Sequence, residues 1–421
     1  MYRKTRLSNG IRLIEVMNKN IETVTVMALF GVGSRDEKGR MEGMAHFLEH
    51  MFFKGTARRS AIDISKELDR VGASSNAFTG KEYTGFWAKA EKKDLPLILD
   101  ILSDMLLHPK FDPKEMKNEK GAIIEEINMY EDAPMRDIPA VFDNMLYAGQ
   151  SLGHDPLGNK ENVLSFTRRN LMDFYGKHYS ADNLIVTVSG NFNDKKIKGD
   201  IEKGFAAFRP AEKKVKQQKN YDRQTAPEVF IKYKKTDQTN LSLGFRAFAT
   251  DHEDQYVMDV LNTILGGNSS SRLYERIREK AGLAYYIYSY DECFRDVGYL
   301  TVQSGVGNDK CERAIGMIME DIRRLKEEKA APEELIHAKS HIKGRMAISL
   351  ESSSSLASFV TSQEILTGKI LTPQEKFVKI NAVTAEDIQR VARDIFTEER
   401  LNLALIGPFK DKKRFQKLLS L

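Results

Sequence analysis

Residues 44–56 read Met-Ala-His-Phe-Leu-Glu-His-Met-Phe-Phe-Lys-Gly-Thr, with His-x-x-Glu-His inside an apolar run that should form a buried helix. On a helix, positions four apart share a face, one turn above the other. His46 and His50 can therefore offer two imidazoles to one metal ion, and Glu49 projects beside them. Two neutral imidazoles and a carboxylate suit zinc. A carboxylate that does not ligate can take a proton from a zinc-activated water, which is chemistry that opens a peptide carbonyl.

The order is the reverse of His-Glu-x-x-His and is itself a metallopeptidase pattern. The chain contains its own control. His337 and His341 have the same spacing in a helical stretch, but no carboxylate lies between them and Lys339 and Lys343 stand close by. Those lysines would repel a dication, so that pair reads as a solvated helix face.

A catalytic zinc commonly has three protein ligands plus water, and the motif supplies two. The next acid-rich helix starts at Asp112-Pro113, with Glu115 three residues after the cap, and should run to about Tyr130. It carries Glu115, Glu119, Glu125, Glu126 and Glu131. Glu119 and Glu126 are seven apart, two turns along one side that also holds Ile123. Acids on an inward side make sense if one of them completes the metal site.

The other elements must hold these two helices. Residues 11–16 and 23–30 alternate as strands, 61–71 as an amphipathic helix, and 74–79 with 83–88 as a hairpin around Gly80-Lys81-Glu82. A free hairpin edge is also where an extended peptide can add as a strand. Helices are expected over 93–107, 136–147 and 161–178, and a buried strand over 183–190. Residues 211–226 are polar, basic and aperiodic, as an interdomain linker would be. The chain then divides into a zinc-bearing domain over 1–210 and a metal-free domain over 227–421.

The second half repeats the first. Thr167 to Gly190 and Thr384 to Gly407 each span 23 positions, an offset of 217. That offset carries His46, Glu49 and His50 onto Thr263, Gly266 and Gly267, so the second copy keeps a scaffold without metal ligands. Its glycine- and serine-rich run, residues 265–273, is no phosphate-binding loop, because no Gly-Lys-Ser/Thr follows.

Composition narrows the class. The 421 residues are 41% hydrophobic and 30% charged, and 65 basic against 60 acidic residues leave a net charge of +5. That surface is nearly balanced and is no nucleic-acid footprint. No window is apolar enough to span a bilayer, and the basic start, residues 1–6, is followed by Leu7-Ser8-Asn9-Gly10 instead of a secretory signal. Two cysteines, Cys293 and Cys311, are too few for a disulfide framework. A cytoplasmic protein with no membrane or nucleic-acid partner is expected.

Over nearly its whole length the chain resembles the inverted-zinc-motif peptidases of the M16, or pitrilysin, family. It is most similar to half-length bacterial processing peptidases that look like the mitochondrial processing peptidase subunits. The resemblance rests on His46-Phe47-Leu48-Glu49-His50, Phe53-Lys54-Gly55-Thr56, Ser75-Asn76-Ala77-Phe78-Thr79, Glu119 and Glu126. It also rests on Arg278-Glu279-Lys280 with Gly282-Leu283-Ala284-Tyr285. It implies one Zn2+ per chain held by His46, His50 and Glu126, with Glu49 as general base and Glu119 supporting the site. It implies that Asn76, Ala77 and Phe78 lie in the strand that pairs with substrate. Arg278 and Tyr285 match an arginine–tyrosine pair that reaches the zinc from a distant domain.

The expected fold is α+β, with two similar halves, each a mainly antiparallel sheet covered by helices. The expected activity is zinc-dependent endopeptidase hydrolysis of extended peptides inside a closed dimeric chamber. Full-length relatives have four such units, so two copies of this chain would form a homodimer in which Arg278 and Tyr285 serve the partner's zinc. A non-catalytic peptide-binding or scaffold subunit on the same fold is the competing reading.

Overall fold

A computed structural model describes residues 2–211 and 219–421. Part of the stretch read as a linker, residues 212–218, lies outside the described residues. Eleven strands form two sheets among the described residues. The strands are β1 (Arg3–Arg6), β2 (Arg12–Met17), β3 (Thr23–Phe30), β4 (Ser74–Thr79), β5 (Thr84–Glu91) and β6 (Leu184–Gly190) in the first sheet. The second holds β7 (Glu228–Tyr233), β8 (Gln238–Ala247), β9 (Ala284–Cys293), β10 (Gly298–Gly307) and β11 (Leu401–Gly407). Five helices of the first half are α1 (Met44–Phe52), α2 (Ala61–Arg70), α3 (Leu95–Leu107), α4 (Pro113–Asp132) and α5 (Pro134–Leu146).

The first sheet runs β1-β2-β6-β3-β5-β4 and the second β7-β11-β8-β10-β9. Each has one parallel pair, β2 with β6 and β7 with β11, and is otherwise antiparallel. The two orders match strand for strand, with β1 as an extra edge in the first. The expected α+β architecture of two similar halves is therefore what forms.

The repeat is closest at its ends. Helix Arg168–His178 and β6 map onto helix Ala385–Ile395 and β11 at the offset of 217, and Thr167 and Thr384 each cap their helix with a side-chain oxygen. That cap also corrects the single helix expected over 161–178. Lys160–Ser165 and Arg168–His178 are separate helices, because Phe166 and Thr167 are extended between them. The offset does not hold in the middle. The connection from β8 to helix Gln255–Leu265, residues 248–254, is shorter than the one from β3 to α1, residues 31–43. Thr263 stays within that helix and Gly266 caps its end, and the helix contains no histidine.

The compact units are not the two linear halves. One comprises Met1–Met129, His154–Gln218 and Ile348–Ile370, and the other Tyr130–Gly153, Lys219–Ala347 and Leu371–Leu421. Each unit thus borrows one segment from the other half of the sequence. The reason is that each sheet is apolar on both faces. In β6, Leu184, Val186 and Val188 face the main core, while Ile185 faces the opposite layer with Ile14, Val16 and Leu29. Helix Ser353–Thr367 covers that second face with Leu356, Val360 and Ile365. It also places Ser353 and Thr361 hydroxyls 2.8 and 2.7 Å from those of Thr25 and Thr187. In the other unit α5 does the same, packing Ile138 and Phe142 against Ala404, Ile406 and Tyr299. A side chain at Gly244 would strike Phe142 at 2.8 Å, so glycine there is what lets α5 approach β8.

This exchange predicts the behaviour of a fragment. A chain of residues 1–211 keeps β2, β3 and β6 but loses their outer helix, and each uncovered Ile, Leu or Val forgoes roughly 1.5–3 kcal/mol of burial. It should bind a hydrophobic dye and lack near-ultraviolet circular dichroism. Attaching residues 348–370 by a flexible linker should restore both signals. A fragment 1–211 that unfolds cooperatively without that segment would contradict the assignment.

Candidate metal centre

Helix α1 begins where Gly43 turns the chain at φ +91. The buried carboxylate of Glu37 accepts from Gly43 N at 2.8 Å and Ala45 N at 2.7 Å. These are backbone N–H groups that a helix start leaves without partners, and a carboxylate suits that end of the dipole. At the other end Phe52 is fully buried, with ring centroids 5.0–5.9 Å from Phe86, Phe111, Tyr175 and Tyr179. Helix α4 packs through Met116, Ile123 and Ile127, beside which stand the buried Glu119 and the half-buried Glu126. Glu125, next in sequence, is exposed.

These two helices bring three side chains together. Glu126 Oε2 lies 3.7 Å from His46 Nε2 and 3.7 Å from His50 Nε2. The metal-binding atoms of the three residues all lie within 4.8 Å of one another, the one such group of histidine, cysteine or acid side chains among the described residues. Ligands of a tetrahedral zinc, at about 2.0–2.1 Å from the ion, lie roughly 3.4 Å apart. Two imidazole nitrogens and a carboxylate oxygen at this spacing fit that ion.

The protonation pattern agrees. Burial, and then the neighbouring His50, hold the His46 imidazole down at about 3, so it stays neutral. Its Nδ1 is buried without a hydrogen-bond partner among the described residues. For His50, burial works against the charged form, but the hydrogen bond and charge of Glu119 outweigh it and raise the pKa. His50 Nδ1 and Glu119 Oε1 are 2.7 Å apart. With Nδ1–H donating to the carboxylate, the lone pair sits on Nε2, the atom that faces Glu126. Glu119 is itself pulled down: its burial is overcome by the hydrogen bonds from His50 and Lys54.

Glu49 occupies the same helix and is 8% exposed. Burial raises its pKa by more than the Thr79 hydrogen bond lowers it. Thr79 Oγ1 donates to Glu49 Oε2 at 2.6 Å. Thr79 belongs to β4, which pairs with β5 in the register Ser74↔Lys89 to Thr79↔Thr84 and stands at the edge of its sheet. Ala77, two residues before Thr79, packs on the α1 side, while Phe78 packs on the opposite side near Tyr83. Asn76 is exposed.

Arg278 and Tyr285 belong to the other unit. Arg278 lies on the π-helical stretch Tyr274–Lys280, with its guanidinium 4.7 Å from the Tyr274 ring centroid and donating to the Tyr274 hydroxyl. Tyr285 is 76% exposed at the start of β9, the edge strand of its sheet. Of the control pair, His337 is exposed as a solvated face requires, whereas His341 is half-buried, and Lys339 and Lys343 bond to Asn381.

Three residues had no stated role in the sequence reading. Thr79 could have been found from the period of two along β4, which puts it on the side of Ala77. Lys54 stands four positions after His50 and so shares its face. Glu37 leaves no local signal, because its partners are backbone groups beyond a turn.

Comparison with known proteins gives the family. Residues 13–158 match the family described as Insulinase (Peptidase family M16), and residues 165–342 match the Peptidase M16 inactive domain. The chain is 38% identical to the uncharacterized zinc protease YmxG of Bacillus subtilis, covering 97% of this chain and 98% of that one. It is 34% identical to an uncharacterized zinc protease of Streptomyces coelicolor, covering 98% and 90%. A crystal structure of a protease from Helicobacter pylori superposes with a TM-score of 0.91 at 23% identity, over 97% of this chain and 99% of that one. A structure from Pseudomonas fluorescens described as a peptidase M16 inactive domain gives 0.90 at 16%, over 97% and 98%. The two family matches and the relatives along the full length agree: this chain belongs to the M16 family of metallopeptidases.

Proposed function

We propose that this chain is a zinc-dependent endopeptidase that cuts extended peptide segments. The observation that carries the reading is the convergence of His46 Nε2, His50 Nε2 and Glu126 Oε2, with the Glu49 carboxylate on the same helix. His46, His50 and Glu126 would hold the ion, one per chain. Bound there, zinc supplies Lewis acidity toward the scissile carbonyl and a water acidic enough to attack near neutral pH. Glu49 accepts the proton of the attacking water and returns it to the leaving amine. Burial that raises its pKa suits both steps. Glu119 keeps His50 in the tautomer that leaves Nε2 free.

The β4 edge is where substrate would add as a strand, with Asn76, Ala77 and Phe78 offering backbone and side-chain contacts. Thr79 ties that edge to the base. Arg278 and Tyr285 would orient substrate or stabilise developing negative charge. The chain has one metal-bearing and one metal-free unit, and the resemblance to four-unit relatives supports a homodimer that encloses substrate. In that dimer Arg278 and Tyr285 serve the zinc of the partner chain. Among the described residues no helix is long and apolar enough to cross a membrane. Cys293 and Cys311 are free thiols, in keeping with a reducing, cytoplasmic site of action.

Metal analysis combined with a peptide-hydrolysis assay tests the zinc chemistry. Glu49→Gln should retain zinc and lose about 10²–10⁴-fold in turnover. His46→Ala, His50→Ala and Glu126→Ala should each lose the metal. Full zinc content in Glu126→Ala would remove that residue from the ligand set.

Substrate shape is tested by comparing a flexible peptide with a tightly folded globular protein. The peptide should be cut and the folded protein left intact, and equal rates would count against strand addition.

The cross-chain assignment is tested by mixing Glu49→Gln with Arg278→Ala after subunit exchange. Each is nearly inactive alone, but a mixed dimer would hold one intact site, so activity should return. No recovery, with heterodimers shown to be present, would place the pair within its own chain.

A further inference from the structure

We propose that Lys54 is a positioning residue of the metal centre. It would hold the Glu119 carboxylate aimed at His50, and so set the strength with which His50 binds the ion. The inference rests on the zinc reading above. Lys54 follows α1 by two residues and is 30% exposed, and its Nζ lies 2.6 Å from Glu119 Oε2. The other Glu119 oxygen, Oε1, lies 2.7 Å from His50 Nδ1. Lys54, Glu119 and His50 thus form one line that ends at the Nε2 facing Glu126. Directly after Lys54 the chain turns at Gly55, whose φ of +105 would strain any residue with a side chain.

The physical need for the lysine is charge. Glu49, Glu119 and Glu126 place three carboxylates around two imidazoles, and Glu119 is only 6% exposed. A buried carboxylate without a cation beside it is costly. A Glu119 side chain released by Lys54 would be free to turn away from the His50 Nδ1–H, and the imidazole would lose both its fixed tautomer and some basicity at Nε2. The Lys54 ammonium, 2.6 Å from Oε2, holds the carboxylate in place. A dication and one ammonium together balance the three carboxylates, so the site reaches neutrality only with both present. The cation must be close to Glu119 yet unable to ligate, and an ammonium with no lone pair meets both conditions.

The test is zinc affinity, measured by competition with a chromophoric chelator on the full-length protein, with melting of the metal-free form as the structural control. Lys54→Met should weaken zinc binding by about ten-fold, the lower range for groups that orient a metal ligand. Lys54→Arg should restore most of the loss, and Lys54→Gln serves if the methionine variant fails to fold. Glu119→Gln should weaken binding at least as much, and Lys54→Met should add little on that background, because the lysine acts through the glutamate. Unchanged affinity in Lys54→Met, or a loss that adds fully to that of Glu119→Gln, overturns the proposal while leaving the zinc site intact. A loss matched by an equal fall in the affinity of Lys54→Arg also overturns it. A wild-type protein that binds no zinc overturns both this and the function it rests on.

Discussion

Glu126 must reach from one helix to two imidazoles on another, and this works only while α1 and α4 keep a fixed separation. Helices in contact lie about 8–10 Å apart, a distance set by the side chains between them. Here Ile123 and Ile127 fill the α4 side, and Phe52 anchors α1 among four other aromatic rings. The Glu37 carboxylate holds the opposite end of α1. Three buried supports thus fix the carboxylate-to-imidazole contacts of 3.7 Å before any ion is considered. A looser pair of helices could carry the same residues without a site.

The chain after α1 is held just as firmly. Asp104 on α3 has no side-chain exposure and accepts from Thr56 Oγ1 at 2.7 Å, Arg58 Nε at 2.9 Å and Arg59 Nη1 at 3.0 Å. A carboxylate with this many charged donors stays ionised despite burial, and its pKa is lowered. The segment that follows Lys54 is therefore tied to α3 as it leaves α1.

Duplication and specialisation are visible in the two sheets. They share strand order and the position of the parallel pair. The shared features are those that build a double-faced sheet. The features that differ most are the loop after the third strand and the helix that follows it, which carries His46, Glu49 and His50 in one copy only. Helix Gln255–Leu265 has the place of α1 but an apolar inner face without histidines.

The sequence alone determined most of the regular elements around the site and the two-histidine motif, because both are local. Periods of two and 3.6 are written in consecutive residues, so β3 at 23–30 and β4 at 74–79 came out at their observed limits. The His46–His50 pairing follows from one helical turn. Equal spans of 23 positions from Thr167 to Gly190 and from Thr384 to Gly407 placed the repeat in the same way. Glu119 and Glu126 could be read as candidates for a third ligand, but the choice of Glu126, and any role for Arg278 and Tyr285, came only through resemblance, since no spacing rule links residues 50 and 126. Tertiary structure decided the rest. Only packing shows Glu126 inward and Glu125 outward, Thr79 on Glu49, and Lys54 on Glu119. Only packing shows α5 and helix Ser353–Thr367 leaving their linear halves to cover sheets apolar on both faces. An amphipathic helix records in its sequence that it needs a partner surface, but not which surface, because burial is proportional to apolar area and indifferent to chain order.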